Sequence, residues 1–133
     1  MFRDEYEREL EPLCLEQGVG VIPYSSLASG FLSGKYRRGE ALPQTARAAG
    51  VQKTYMTDRG FGIMAAVEKV AAGAGATPAQ VALSWLAHRP GITAPIASAT
   101  SAAQLTELVG GIALTLDAGA IQALDQASAW RDG

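Results

Sequence analysis

Between residues 21 and 36 the chain reads VIPYSSLASGFLSGKY. An apolar, branched start (Val21, Ile22, with Tyr24 behind) suits a strand. It runs directly into Ser25, Ser26, Ser29, Gly30, Ser33 and Gly34 and closes on Lys35. Hydroxyls donate hydrogen bonds, glycines let a backbone approach closely, and a lysine adds a fixed positive charge. Together these are the requirements of an anion site. The same residue types also build an ordinary turn-rich connector, so the stretch alone leaves both readings open. Elsewhere chemistry is sparse. His88 is the single histidine and Cys14 the single cysteine, which argues against a zinc site within the chain. His88 suits a helix C-terminus, Trp85 core packing, and Cys14 a buried small hydrophobe.

The elements that must position this stretch follow from periodicity and punctuation. Phe2, Tyr6, Leu10, Leu13 and Cys14 fall at helical spacing, predicting a helix over 3–17 with a kink or restart at Pro12. Gly18 stops it, and 19–24 is the first predicted strand. Residues 37–57 show no sustained period and read as a long loop, a lid or mobile segment, with Arg37 and Arg38 at its base either a solvated pair or in contact with a bound phosphate. Asp58 is placed as the cap of a helix with the stripe Ile63, Met64, Val67, Val70 and Ala71. It ends at GAGA, residues 73–76. TPAQ at 77–80 predicts a capping box from Thr77 and Gln80, opening a helix to about His88. Pro90 and Gly91 break it, and 92–97 is the second predicted strand. SAAQ at 101–104 reads as another capping box, leading through Leu105 and Leu108. Asp117 caps a last helix carrying Ile121 and Leu124.

Two apolar strands joined through helices imply parallel pairing with a right-handed crossover, an α/β class. Two strands do not complete a parallel sheet, so the whole chain, 1–133, reads as a single partial domain.

Composition bounds the partners. The 133 residues are 48% hydrophobic and 18% charged, with a formal net charge of −2. That balance predicts a folded, soluble protein with no basic field for nucleic acid or a membrane surface. No apolar run approaches membrane-spanning length, and the opening MFRDEYEREL is too acidic for a signal peptide. With one cysteine and no internal disulfide, a reducing, cytoplasmic setting is expected.

Three segments in order, GVIPYSSLASGFLSGKY, TPAQVALSWLAHRPGITAPIASATSAAQL and LTLDAGAIQALDQAS, resemble the C-terminal part of aldo-keto reductases. The likeness covers nearly the whole chain. It implies the C-terminal portion of a (β/α)8 TIM barrel: the last two strands, 19–24 and 92–97, and the surrounding helices. Loops after those strands often build a phosphate site in such barrels. The resemblance thus turns the 25–35 loop into a pyrophosphate cradle, carried by Ser25, Leu27, Gly30, Ser33 and Lys35. It assigns Ser98, Ser101, Gln104 and Glu107 to the adenosine end, where the helix start near Ser101 offers free N–H groups and its positive dipole end. The implied cofactor is NADP(H), with NAD(H) the alternative. The family commonly has Gly and then Arg or Lys where this chain has Ser98 and Ser101, and often Asn where it has Leu108. Loss of a fixed cation weakens charge-assisted phosphate recognition. Ser26 replaces a frequent proline, an exchange expected to alter loop stiffness.

The family reduces aldehydes or ketones with an Asp, a Tyr, a Lys and a His, all of which the resemblance places upstream of Met1. Tyr24, Lys35 and His88 therefore receive no catalytic role. The expected function is that of a nicotinamide-dependent oxidoreductase, this chain carrying the cofactor-binding part and, in the whole protein, a small carbonyl compound as substrate. The alternative is a truncated, non-catalytic barrel remnant that binds a nucleotide or a protein partner. Val21, Ile22, Ile92 and Ile96 would be buried inside a closed barrel, so the partial barrel is expected to self-associate, to be partly disordered or to bind a complementary barrel segment.

Overall fold

A computed structural model describes residues 1–130. The N-terminal helix widens into a π-helical stretch over Tyr6–Leu10 and continues as α1, Glu11–Gln17. Pro12 is the reason. It has no N–H to give the Arg8 carbonyl, and the Glu11 N–H reaches back five residues to the Tyr6 carbonyl. The predicted kink takes the form of a π turn in an unbroken helix. Gly18 closes α1 at φ 64°, its N–H on the Cys14 and Leu15 carbonyls.

The largest departure from expectation concerns the strands. Neither 19–24 nor 92–97 forms one; among the described residues a single parallel bridge, Val21 to Ile92, remains. The Val21 N–H donates to the Gly91 carbonyl at 3.0 Å, and the Thr93 N–H donates to the Val21 carbonyl at 2.8 Å. The next rung needs the N–H groups of residues 23 and 95, and both are prolines. Two missing donors end the ladder after one bridge. The direction agrees with the predicted parallel pairing, but the length does not.

The stretch after Tyr24 is not a free loop. Ala28–Ser33 coils into 3-10 geometry, interrupted by Ser29 (φ 57°) and Gly30 (φ 93°). Phe31 is fully buried there. Its ring meets Tyr36 at 6.3 Å, Tyr55 at 6.1 Å and Phe61 edge-on at 5.7 Å. Tyr55 belongs to α2, Ala48–Tyr55, a helix within the segment expected to be an unstructured lid. It is short and weakly periodic, with Gly50 in its interior. Burial of Ala48 and Val51 against the aromatic cluster supplies what propensity does not.

Helix α3, Asp58–Ala74, buries the predicted Ile63, Met64, Val67 and Ala71, while Val70 is partly buried. Its N-cap is Thr57, whose hydroxyl accepts the Gly60 N–H at 3.0 Å, and not Asp58, which lies in the first turn. Asp58 instead pairs with Arg38 at 2.7 Å, so Arg38 is not merely solvated. In α4, Pro78–Ala87, the predicted capping box is complete: the Thr77 hydroxyl accepts the Gln80 N–H, and Gln80 Oε1 accepts the Thr77 N–H at 3.0 Å. His88 forms the C-cap, with Nδ1 2.8 Å from the Ser84 carbonyl oxygen. Ser101 caps α5, Ala102–Ala113, but the second half of that box fails. Gln104 Oε1 accepts from the Thr100 N–H and hydroxyl, not from Ser101. Asp117 caps α6, Ala118–Ser128, accepting the Ala120 N–H at 2.7 Å.

The result is a layered helical body. Helix α4 packs between α3 and α5, and α3 also packs on α6. Gly111 lets α5 ride against the backbone of Gln80 in α4, where a Cβ would lie 2.9 Å from the Gln80 Cα. Trp85 packs at the edge of the core and Cys14 is half-buried, less enclosed than its place in the apolar pattern suggests. No single helix among the described residues is long and apolar enough to cross a membrane.

Candidate functional site

The bridge between Val21 and Ile92 brings together the starts of two segments, 25–35 and 96–104. In the first, the chain passes through five positions of positive φ: Ser25 (56°), Ala28 (49°), Ser29 (57°), Gly30 (93°) and Gly34 (82°). Three of these are not glycine, a conformation that costs about 1 kcal/mol or more at each and persists only where surroundings enforce it. Phe31 and Leu32, both buried, are the enforcement: they pin the coil to the core from below.

Lys35 is exposed and folds back over the coil. Its Cε and Nζ lie 3.2 Å from the point a Cβ on Gly30 would occupy, and Nζ sits 5.6 Å from the Tyr36 ring centroid. The predicted pair of glycine and lysine therefore comes together, with the glycine making room for the ammonium stem. The Ser33 hydroxyl donates to the Gly30 carbonyl at 2.7 Å, so its proton serves the turn and not a ligand. Ser25 is exposed and Leu27 half-buried. Tyr24, placed at the end of the first predicted strand, is 83% exposed beside Ser25.

In the second segment Ser98, Ser101 and Gln104 are exposed and Glu107 is half-buried. Ser101 Oγ accepts the Gln104 N–H at 3.2 Å, which leaves the N–H groups of Ala102 and Ala103 as the donors at the start of α5. The Glu107 backbone carbonyl accepts from Gln80 Nε2 at 3.2 Å, tying this helix to α4. The two predicted groups meet at their roots through residues outside the predicted set. The Ile96 N–H donates to the Pro23 carbonyl at 3.0 Å, and the Ser26 hydroxyl donates to the Ile96 carbonyl at 2.8 Å.

A cavity of about 540 Å³ lies beneath this surface, lined by Phe2, Tyr6, Val21, Ser25, Ser26, Trp85 and Ile92 among others. That volume is in the range of small-molecule sites. Ser25 is the one predicted nucleotide contact that lines it. At its rim, burial raises the Tyr55 hydroxyl above its ordinary value, with nearby Tyr24 adding to the shift. Among the described residues no group of three or more His, Cys, Asp or Glu converges as metal ligands would.

Comparison with known proteins decides the family. The aldo/keto reductase family profile matches residues 1–129. This chain belongs to the aldo/keto reductase family. It is 33% identical over 114 residues to a probable aldo-keto reductase 1 of Glycine max, an alignment covering 84% of this chain and 33% of that protein. It is also 33% identical over 110 residues to a probable voltage-gated potassium channel subunit beta of Arabidopsis thaliana, covering 79% and 33%. A putative channel subunit beta of Schizosaccharomyces pombe gives 32% over 117 residues, covering 83% and 33%. The chain thus spans about a third of the length of these relatives. The aldo/keto reductase family implies a (β/α)8 barrel, whereas this chain is mostly helical with one bridge where two strands were predicted.

Proposed function

We propose that this aldo/keto reductase chain forms the cofactor-binding C-terminal part of an NAD(P)H-dependent carbonyl reductase. The observation that carries the reading is the pairing of two anion-suited elements on adjacent, bridged segments: the coil with Lys35 folded over Gly30, and the uncovered start of α5 behind Ser101. In this reading Lys35 and the backbone of the 28–30 coil face the pyrophosphate. The N–H groups of Ala102 and Ala103, with Ser101, face the adenosine end, and Gln104 and Glu107 flank it. A nicotinamide held there would serve as hydride donor for reduction of an aldehyde or ketone, with a proton taken up at its oxygen. The chain's own residues bind and orient; Tyr24, Lys35 and His88 hold no proton-transfer role. A cytoplasmic location accompanies the proposal.

Isothermal titration of the 133-residue chain with NADPH and with NADH tests it. Saturable binding that falls at least several-fold on Lys35→Ala is expected. Binding untouched by both Lys35→Ala and Ser101→Ala would overturn the placement. Carbonyl reduction is expected to stay at background even with saturating NADPH, since positioned acid and oxyanion donors each contribute orders of magnitude in rate. Turnover abolished by Tyr24→Phe or Tyr55→Phe would refute that part.

A second reading is a non-catalytic binding protein that associates with a partner. The exposure of Ile22 (61%), Tyr24 (83%) and Ile96 (49%) favours it, and two of the matched relatives carry the name of a channel subunit.

A further inference from the structure

We propose that Ser26 is a positioning residue that clamps the two nucleotide-facing segments into one unit, an inference that rests on the proposed nucleotide site. The parallel ladder between 19–24 and 92–97 stops where Pro23 and Pro95 withhold their donors. Past that point the two segments stay joined by different bonds. The Ile96 N–H reaches the Pro23 carbonyl at 3.0 Å, and the carbonyl of the same residue receives the Ser26 hydroxyl at 2.8 Å. Ile96 is thus held on both backbone groups by the segment that starts the coil. The Ser26 oxygen also lies 3.2 Å from the Pro23 carbonyl, so its single proton bridges the two carbonyls that close the broken ladder, favouring the nearer.

The geometry behind this is local. Ser25 takes φ 56°, which reverses the chain so that the next side chain turns back toward residue 96. Downstream of the clamp on one side are Gly30 and Lys35; downstream on the other are Ser98 and the start of α5. The coil is also pinned by Phe31 and Leu32 and α5 by Gln80; these two hydrogen bonds add the direct link between the two segments. Because the Ser26–Ile96 bond is exposed, it adds little to global stability. Its effect is on where the two elements stand relative to each other.

The test uses the full chain as wild type, Ser26→Ala and Ser26→Thr, with two readouts. The first is amide hydrogen exchange at Ile96. Ser26→Ala is expected to speed it about tenfold while Ser26→Thr keeps it near wild type, with melting temperatures unchanged. The second is NADPH titration, where Ser26→Ala is expected to weaken binding about three- to tenfold, the scale of one hydrogen bond, and Ser26→Thr to restore it. Unaltered exchange in Ser26→Ala overturns the clamp whatever the nucleotide does. Faster exchange with NADPH affinity within twofold of wild type overturns the positioning role. If wild type binds no NADPH, the nucleotide reading and the positioning role fall together, while exchange still decides whether the clamp exists.

Discussion

Arg89 donates to Glu7 Oε1 at 2.8 Å across 82 positions of sequence. The same carboxylate takes hydrogen bonds from Arg3 and from the Trp130 indole, the latter at 2.8 Å on Oε2. Both guanidiniums also lie near the Trp85 ring, Arg3 at 5.5 Å and Arg89 at 4.8 Å from its centroid, and the Trp85 N–H donates to Asp125 at 2.9 Å. One acidic side chain on the N-terminal helix therefore fastens α4 and the segment after α6, where no strand ladder does so.

Acid should loosen this fastening. Burial pushes the Glu7 carboxyl upward, but the bonds from Trp130 and Arg3 and the charges of Arg3 and Arg89 outweigh it and hold it below its ordinary value of 4.5. A depressed carboxyl contributes stability that is present above its unfolded value and lost as pH falls through the folded one. Chemical denaturation at stepped pH is expected to show stability declining below about 4.5. Glu7→Gln should flatten that decline and cost about 1–3 kcal/mol at pH 7, because Arg3 and Arg89 each lose a carboxylate, Arg89 keeping Glu11 and Asp125. An unchanged pH profile in Glu7→Gln would assign the decline to other carboxylates.

Two glycine substitutions should have opposite signs. Gly111→Ala drives a methyl to 2.9 Å from the Gln80 Cα and 3.1 Å from its carbonyl oxygen, separating α5 from α4 at a cost of about 1–3 kcal/mol. Gly73→Ala meets nothing within 4 Å inside α3 and should gain about 0.5–1 kcal/mol from helix propensity. Equal thermal shifts for the two variants would contradict the close α4–α5 contact.

Cofactor preference should respond at residue 101. Ser101→Arg, placing a cation at the start of α5, is expected to favour NADPH over NADH by about 1–2 kcal/mol, the scale of a charge-assisted bond. Titration of both nucleotides against both proteins measures it. No change in the ratio would move the 2′-phosphate elsewhere.

The exposed Ile22, Tyr24 and Ile96 should draw the chain into association. Covering a few hundred Å² of apolar surface is worth several kcal/mol at roughly 25 cal/mol per Å², against the cost of association. Light scattering over a concentration series should show a mass above 13.8 kDa, and Ile22→Lys should shift it toward monomer. A monomer at every concentration would show that the helical layer covers these segments sufficiently.

Local chemistry was legible from residues alone. Thr77 with Gln80, Gly18, Ser101, Asp117 and the α3 stripe each act within a turn or two of chain, where hydrogen bonds and periodicity are fixed by sequence spacing. The family was legible for the same reason, since its motifs lie in order along the chain. What spacing does not determine is which long-range groups meet. The two predicted strands shrink to one bridge because the next rung needs N–H groups at 23 and 95, both prolines, a coincidence that exists only once the register is set. Helix α2 forms because the aromatic cluster around Phe31 buries Val51. Gln104 leaves its box because Thr100 offers it two donors. The candidate site divides the same way: its residue types were written in the sequence, while tertiary structure alone turned Ser26 onto Ile96 and laid Lys35 over Gly30.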